Sequence, residues 1–228
     1  MKKLSVIIPA YNEERTLAEI VRRVRAIDLS PLEIEVIVVD NNSKDSTYAI
    51  ASGIPGIRVI KEKTPGKGAA VRAGFAAAAG DMVIIQDADL EYEPKDYASV
   101  IAPILSGKVK AVVGVRTIIP EDAPPRGVAY DIGNTLITLA TNILYGGNAE
   151  EYTGCYKAFT KELIDSIQVR EHGFAYEHEL VCKVLKRGNA VASVPIHYYP
   201  RSYDEGKKIN WKDGFRILWA IIKYRFVD

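Results

Sequence analysis

The chain has 228 residues, 48% of them hydrophobic, enough for one domain with a sizeable core or one domain with an appendage. Thirty Lys and Arg against twenty-nine Asp and Glu leave a formal charge of +1, so the chain lacks the basic field that nucleic-acid binding requires. Cys155 and Cys182 are far apart and form no CxxC pair, which argues for neither a disulfide framework nor a zinc site and fits a reducing compartment. The opening MKKLSVIIPAYNEE has too short an apolar run for a signal-peptide core, and nowhere do eighteen strongly apolar residues follow one another. The expectation is a soluble protein or one that sits on a membrane surface.

In chain order, Leu4 to Ile8 reads as a buried strand stopped by Pro9. Glu14 to Ile27 has helical spacing, with Leu17, Ile20, Val21, Val24 and Ile27 on one face. Ile34 to Val39 is a second strand, ending in Asp40-Asn41-Asn42-Ser43, and Ser43 or Asp45 can cap a short helix through Ala51. Ile57 to Ile60 is a third strand, after which Gly66-Lys67-Gly68 opens an alanine-rich helix to Ala79. Met82 to Gln86 is a fourth strand, leading into Asp87, Asp89 and Glu91. Strands separated by helices make repeated βαβ units, hence an open, mostly parallel sheet with helices on both faces. Beyond Pro94 the pattern predicts a helix to Leu105, a strand from Lys110 to Val115 ending at Arg116, and a loop from Ile119 to Pro125. A long helix starts at Asp131, and its uncharged stretch Ile132 to Asn148 suits either a buried helix or a surface that meets something apolar. Tyr156 to Phe159 reads as a strand, Tyr176 to Arg187 as a helix stopped by Gly188, and Ala190 to Pro195 as the last strand. The tail, Asn210 to Phe226, is amphipathic, with Trp211, Phe215, Leu218 and Ile222 on one side and Lys212, Arg216 and Lys223 on another. This divides the chain into a body, 1–209, and a C-terminal helix, 210–228.

Ligands of such sheets bind at the carboxyl ends of the strands, and Tyr11, Asp40, Gly66 to Gly68 and Asp87 to Asp89 all fall there. If the chain stays extended through Leu90, period-two geometry puts the carboxylates of Asp87, Asp89 and Glu91 on one face. Carboxylates so close are stabilised by a cation, and a hard ion such as Mg²⁺ or Mn²⁺ suits them and takes substrate phosphates as further ligands. An Asp-x-Asp pair by itself is more often plain solvated surface. Gly66-Lys67-Gly68 at a helix start offers N–H groups and a cation to an anion, although such a turn is more often only a turn. No GxxxxGK[ST] loop is present, nor a GxGxxG after the first strand, which weighs against a dinucleotide-binding enzyme. His178 and His197 lack ligand spacing and read as structural.

Together these motifs resemble the family 2 glycosyltransferases, and within them the polyprenyl-phosphate sugar transferases typified by dolichol-phosphate mannose synthase. VIIPAYNEE, VVDNNSKDST, PGKGAAVRAGF and QDADLEYEP are similar to family motifs in the family's order, and the likeness covers nearly the whole chain. The resemblance implies the glycosyltransferase A fold. It places Pro9, Tyr11 and Glu13 at the nucleotide base, Asp40 at the nucleoside, and Asp87 and Asp89 at the metal. Gly66 and Lys67 belong to its glycine-lysine stretch. Asn41 stands where the family usually has a second Asp, and Glu91 where Gln is common; Glu91 is a candidate third metal ligand. Arg116 matches an arginine after the next strand. Arg201, Lys207 and Lys208 resemble a basic segment that closes over the diphosphate and the acceptor phosphate.

What the resemblance implies is a metal-dependent, inverting transfer of a hexose from a nucleoside-diphosphate sugar of the GDP-mannose or UDP-glucose type to a polyprenyl (dolichyl-type) phosphate. The metal on Asp87 and Asp89, with Arg201, would offset charge on the leaving diphosphate. A phosphate acceptor has a second pKa of about 6 and needs positioning rather than a base. A hydroxyl acceptor needs one, and Glu177 and Glu179 are the candidates. A sugar-1-phosphate nucleotidyltransferase would want a GxGxR-type loop after the first strand, and PAYNEE supplies none. A non-catalytic binding module is disfavoured by the presence of Asp87, Asp89 and Arg201 together. With a lipid acceptor, the tail helix would lie in the membrane interface and the protein would be peripheral on the cytoplasmic face; the alternative is that the helix docks on the body.

Overall fold

The computed structural model describes residues 1–121, 123, 128–200 and 211–228. The first half is a βαβ series: β1 (Lys3–Ala10), α1 (Leu17–Arg25), β2 (Glu33–Asp40), α2 (Thr47–Gly53), β3 (Arg58–Lys61), α3 (Lys67–Ala77) and β4 (Met82–Ile85). There follow a turn of 3₁₀ helix at Pro94–Asp96, α4 (Tyr97–Leu105), β5 (Ala111–Ile118), α5 (Val128–Tyr145), β6 (Lys157–Thr160), α6 (Lys161–Asp165), α7 (Tyr176–Lys186), β7 (Val191–His197) and α8 (Trp211–Phe226). Among the described residues the strands form one sheet in the order β3-β2-β1-β4-β6-β5-β7. Pairing is parallel except at β6, which runs antiparallel to both β4 and β5. The chain walks outward from β1 to β3, then returns to lay β4 on the other side of β1, so the strand order reverses between β1 and β4. A ligand crevice is expected where it does.

Sequence and structure differ at several boundaries for local reasons. Pro9 does not stop β1, which runs on to Ala10 against Asp40. Its missing N–H would point toward β4, where pairing has already ended at Ile7 and Ile85, so no ladder bond is lost. The helix expected from Glu14 begins at Leu17, because Glu14 is tied to the next loop: its N–H donates to Asp45 and its carboxylate accepts from the Ser46 N–H. Neither Ser43 nor Asp45 caps α2 as expected; Ser46 is its N-cap, Asp45 forms a turn with Thr47, and Ser43 accepts from the Asn12 N–H. The loop expected from Ile119 to Pro125 and the start of the tail at Asn210 lie partly outside the described residues.

The main core lies on both faces of the sheet, with Val6, Ile8, Val38, Ile84 and Val112 fully buried on one and Ile7, Ile37 and Ile85 on the other. A second cluster joins α5, α7 and α8 through Ile137, Cys182, Ile217, Ile221 and Tyr224. The tail helix therefore docks on the body, by a face of which only Leu218 belongs to the apolar side expected from its sequence. Phe215 and Ile222 from that expected side are 68% and 48% exposed, while Ile217, Ala220, Ile221 and Tyr224 turn inward. The uncharged part of α5, from Ile132 onward, is likewise only half buried, with Ile132, Leu136, Leu139 and Ile143 all more than half exposed.

Candidate active site

The first wall is built where β1 and β2 end side by side. Beyond them the chain turns through Asn12 and Asn42, both with positive φ, a conformation asparagine tolerates better than most residues. The two loops are laced together: the Asn12 N–H donates to Ser43 Oγ at 3.0 Å, the Lys44 N–H to Asn12 Oδ1 at 2.8 Å, and the Glu13 N–H to Thr47 Oγ1 at 2.8 Å. Glu13 is buried and Tyr11 exposed. Asp40 is fully buried, and neither carboxylate oxygen has a hydrogen-bond partner among the described residues. A buried acceptor left so is costly unless a ligand N–H completes it. Asn41 accepts the Gly66 N–H at 2.6 Å and donates to the Thr64 carbonyl at 2.7 Å. An aspartate could make only the first of these bonds, which accounts for the amide here.

The Gly66-Lys67-Gly68 turn serves a different purpose from an open anion cradle. The Gly68 and Ala69 N–H groups donate to the His172 carbonyl at 2.7 and 3.3 Å. A Cβ on Gly66 or Gly68 would stand 2.2 Å from the backbone oxygen of His172 or Glu171. The glycines therefore let the turn before α7 press against the start of α3. Lys67 is pinned between two carboxylates, 2.7 Å from Asp87 Oδ1 and 3.0 Å from Glu177 Oε1. Burial lowers its affinity for a proton, but Asp87 and Glu177 outweigh that and hold it well above the usual lysine range.

β4 delivers Asp87, but the chain does not stay extended beyond it. It turns through Ala88 and Asp89, and Leu90 takes a φ of 62°, so the three carboxylates do not share one face. Asp89 Oδ1 accepts the Glu91 N–H at 3.2 Å, and Asp87 faces Lys67. Among the described residues no three acidic, histidine or cysteine side chains lie close enough to hold a metal by themselves. Asp89 and Glu91 both line the cavity and offer hard oxygen donors. This set fits a divalent ion that takes the rest of its shell from water and phosphate oxygens.

Glu177 and Glu179 leave the first turn of α7 in different directions. Glu177 lines the cavity, with one oxygen on Lys67 and the other 3.0 Å from Lys157. Burial raises its pKa, and the two lysines more than reverse that, to about 2. Glu179 is fully buried away from the cavity, accepting the Arg170 and Glu171 N–H groups and pairing with Lys183 at 2.8 Å. His178 does reach the cavity; its Nδ1 has no described partner, and burial, with Lys157 nearby, lowers its pKa to about 4.

Arg116, inside β5 rather than beyond it, is buried and ion-paired with Glu151; its guanidinium also donates to Thr153 Oγ1 at 2.6 Å and lies over the Tyr198 ring. Thr153 in turn donates to Asn134 Oδ1 on α5 at 2.7 Å. Past this group the wall becomes apolar at Ile137, Phe174 and Ile217. The whole cavity measures about 960 Å³ and runs from Tyr11 and Asn41, past the acidic loop, to the gap between α5 and α8. Pro9, Tyr11, Glu13, Gly66, Lys67, Asp87, Asp89, Glu91, Arg116 and Glu177 all line it, whereas Asp40 lies behind it. Arg201, Lys207 and Lys208 lie outside the described residues. The sequence reading missed Asn134, Glu151, Thr153 and Lys157. A lone buried lysine has no periodic signal.

Comparison with known proteins identifies the fold and the family. The low-salt glycan biosynthesis hexosyltransferase Agl6 of Haloferax volcanii is 28% identical over 218 residues, covering 93% of this chain and 51% of its own length. Glycosyltransferase AglJ of the same organism is 29% identical, covering 86% of this chain and 63% of its own length, so the chain spans only part of these two relatives. A UDP-N-acetylglucosamine–dolichyl-phosphate N-acetylglucosaminyltransferase of Methanococcus voltae is 25% identical over 97% of this chain and 95% of its own. Among solved structures, glucosyl-3-phosphoglycerate synthase of Mycobacterium tuberculosis with UDP superposes with a TM-score of 0.79 at 21% identity, covering all of this chain and 81% of that one. The same enzyme with Mn²⁺, UDP and phosphoglyceric acid gives 0.76 at 22% identity, covering all of this chain and 80% of that one. At that identity the likeness establishes the shared glycosyltransferase A fold. The family itself is shown by a match over residues 5–168, well over half of the chain: this protein belongs to glycosyl transferase family 2.

Proposed function

We propose that this glycosyltransferase moves a hexose, with inversion, from a nucleoside-diphosphate sugar of the GDP-mannose or UDP-glucose type to a polyprenyl phosphate of the dolichyl type, at the cytoplasmic face of a membrane. The observation that carries this reading is the two-ended cavity. One end lies at the strand termini with Asp89 and Glu91; the other lies between α5 and α8, walled by Ile137 and Ile217. Outside that gap, Leu136 and Leu139 of α5 and Phe215, Trp219 and Phe226 of α8 are all more than half exposed, with Arg216 and Arg225 exposed among them. Helices that are apolar outside and flanked by cations suit a membrane interface. No described helix is long and apolar enough to cross one.

In this reading Tyr11, Glu13 and Pro9 border the base, with Asp40 buried behind the cavity wall beside them. Asp89 and Glu91, beside Asp87, would hold a Mg²⁺ or Mn²⁺, which when bound offsets charge on the departing diphosphate. The Mycobacterium tuberculosis neighbour described with UDP and Mn²⁺ supports that assignment. Arg116, with Arg201, Lys207 and Lys208 of the segment before α8, would meet the acceptor phosphate. That phosphate arrives largely ionised near neutral pH, so the residues need only align it for in-line attack. The engagement of Glu177 by two lysines and of Glu179 by backbone N–H groups and Lys183 leaves neither suited to base duty, which disfavours a hydroxyl acceptor. The dolichyl phosphate in the name of the Methanococcus voltae relative points the same way.

The test is an assay of the purified protein with Mn²⁺, labelled GDP-mannose, UDP-glucose and UDP-N-acetylglucosamine, and either dolichyl phosphate or an oligosaccharide. Label should move into the organic phase with dolichyl phosphate. Transfer to the oligosaccharide alone would defeat the proposal.

A further inference from the structure

Four charges of alternating sign cross the cavity floor. Asp87 meets Lys67 at 2.7 Å, Lys67 meets Glu177 at 3.0 Å, and the second oxygen of Glu177 meets Lys157 at 3.0 Å. The first three line the cavity; Lys157, the first residue of β6, does not and is fully buried. Its ammonium otherwise touches only the Gly154 carbonyl among the described residues. A buried ammonium is expensive to desolvate and commonly contributes little net stability, so its place at the end of this row calls for another account.

We infer that Lys157 is a positioning residue for the nucleoside diphosphate of the donor, acting through Glu177 and Lys67. By occupying one oxygen of Glu177, it leaves that carboxylate a single oxygen and a reduced pull for Lys67. Lys67 is then shared with Asp87, which faces the incoming diphosphate as a neutralised group beside Asp89. Without Lys157 the row carries a net negative charge, Glu177 draws Lys67 toward itself, and Asp87 is left to repel the anion. Unlike a mere anchor between β6 and α7, this role acts on the ligand through charge. The inference rests on the cavity taking a nucleoside diphosphate.

The experiment is calorimetric titration of UDP and of GDP, with Mn²⁺ present, into wild type, Lys157→Met, and the double variant Lys157→Met/Glu177→Gln. The row predicts that Lys157→Met weakens the nucleotide that wild type prefers by about tenfold, the size of an ordinary coupling between sites. The double variant, with charge balance restored, should return to within about threefold of wild type. Lys157→Met with a lowered Tm but undiminished nucleotide affinity overturns the inference and leaves the lysine an anchor. A double variant as weak as the single one overturns it too. If Lys157→Met does not fold, Glu177→Gln decides in its place: it leaves the row with a net positive charge, so nucleotide affinity raised above wild type supports the row and an unchanged affinity refutes it. Wild type binding neither nucleotide would sink the donor reading itself, and this inference with it.

Discussion

Glu179 separates a structural from a catalytic carboxylate, and its replacement gives a clear test. Its side chain is fully buried, accepts the Arg170 N–H at 2.8 Å and the Glu171 N–H at 2.7 Å, and pairs with Lys183, itself buried. These bonds hold the turn whose next residue, His172, accepts from Gly68 and Ala69 at the head of α3. Glu179→Ala strands a buried ammonium and two backbone N–H groups. Lys183 keeps the Gln168 carbonyl at 2.7 Å and the face of Tyr224, which softens the loss. Breaking a buried pair by removing one partner costs 3–5 kcal/mol, so a value of about 4 kcal/mol is expected. For a chain of this size that lowers Tm by about 8 to 16 °C. Glu179→Gln keeps one acceptor oxygen for the turn but loses the charge and sets its NH₂ against a donor that the other oxygen had accepted from, so about 2 kcal/mol is expected. The measurements are thermal unfolding by circular dichroism and initial transfer rates well below either Tm. Glu179→Gln should keep its rate within about fivefold of wild type, because a general base removed costs 10²–10⁴-fold. A Glu179→Gln protein of unchanged Tm and rate reduced a thousandfold would refute the structural account and restore the residue to base duty.

Two further outcomes follow from buried polar groups. His178 is held at about 4 against an ordinary 6.5, so its neutral form stabilises the fold fully above pH 6.5 and progressively less as pH falls toward 4; His178→Gln should remove up to about 3 kcal/mol of the stability difference between pH 7 and pH 4.5 in urea unfolding, and an unchanged difference would contradict the burial argument. Asn41→Asp replaces a donor with an acceptor opposite the Thr64 carbonyl at 2.7 Å, and should lower stability at pH 7 by about 1–3 kcal/mol; equal stability in denaturant titration would show that the amide is dispensable.

The strand half of the site was legible because its signals are local. A run of Ile and Val ending in Asp or Pro states both a strand and where its carboxyl end lies, and β1, β2 and β4 bring Tyr11, Asn41 and Asp87 to one crevice. The acidic loop was legible in composition but not in shape. Extension through Leu90 was the natural reading of alternating carboxylates, and only the left-handed turn at Leu90 separates them. The antiparallel course of β6 has no sequence signature in KAFT, since four apolar or mixed residues pair equally well in either direction. The tail is a different case. Its periodicity was read correctly, but α8 carries two apolar faces, and periodicity cannot say which one α5 and α7 cover.

That second apolar face bears on the reaction. A helix needs one apolar stripe to dock, and α8 has Ile217, Ile221 and Tyr224 for it. Phe215, Trp219 and Phe226 lie outside that buried cluster, and each remains more than 60% exposed beside the similarly exposed stripe of α5. Keeping large apolar side chains in water forgoes about 25 cal/mol for each Å² left uncovered, which is a reason to expect a cover. The gap between these two helices is also where the cavity ends. An acceptor whose apolar chain lies in that cover can present its polar head to Arg116 and the acidic loop without leaving the lipid. On the proposed reaction, the surface that holds the protein at the membrane and the route by which the acceptor reaches the donor are one structure. Replacing Trp219 and Phe215 together by Glu then separates the proposal from a sugar acceptor, because it should abolish vesicle sedimentation and transfer to dolichyl phosphate in parallel. Transfer that survives the loss of vesicle binding would detach the route from the surface.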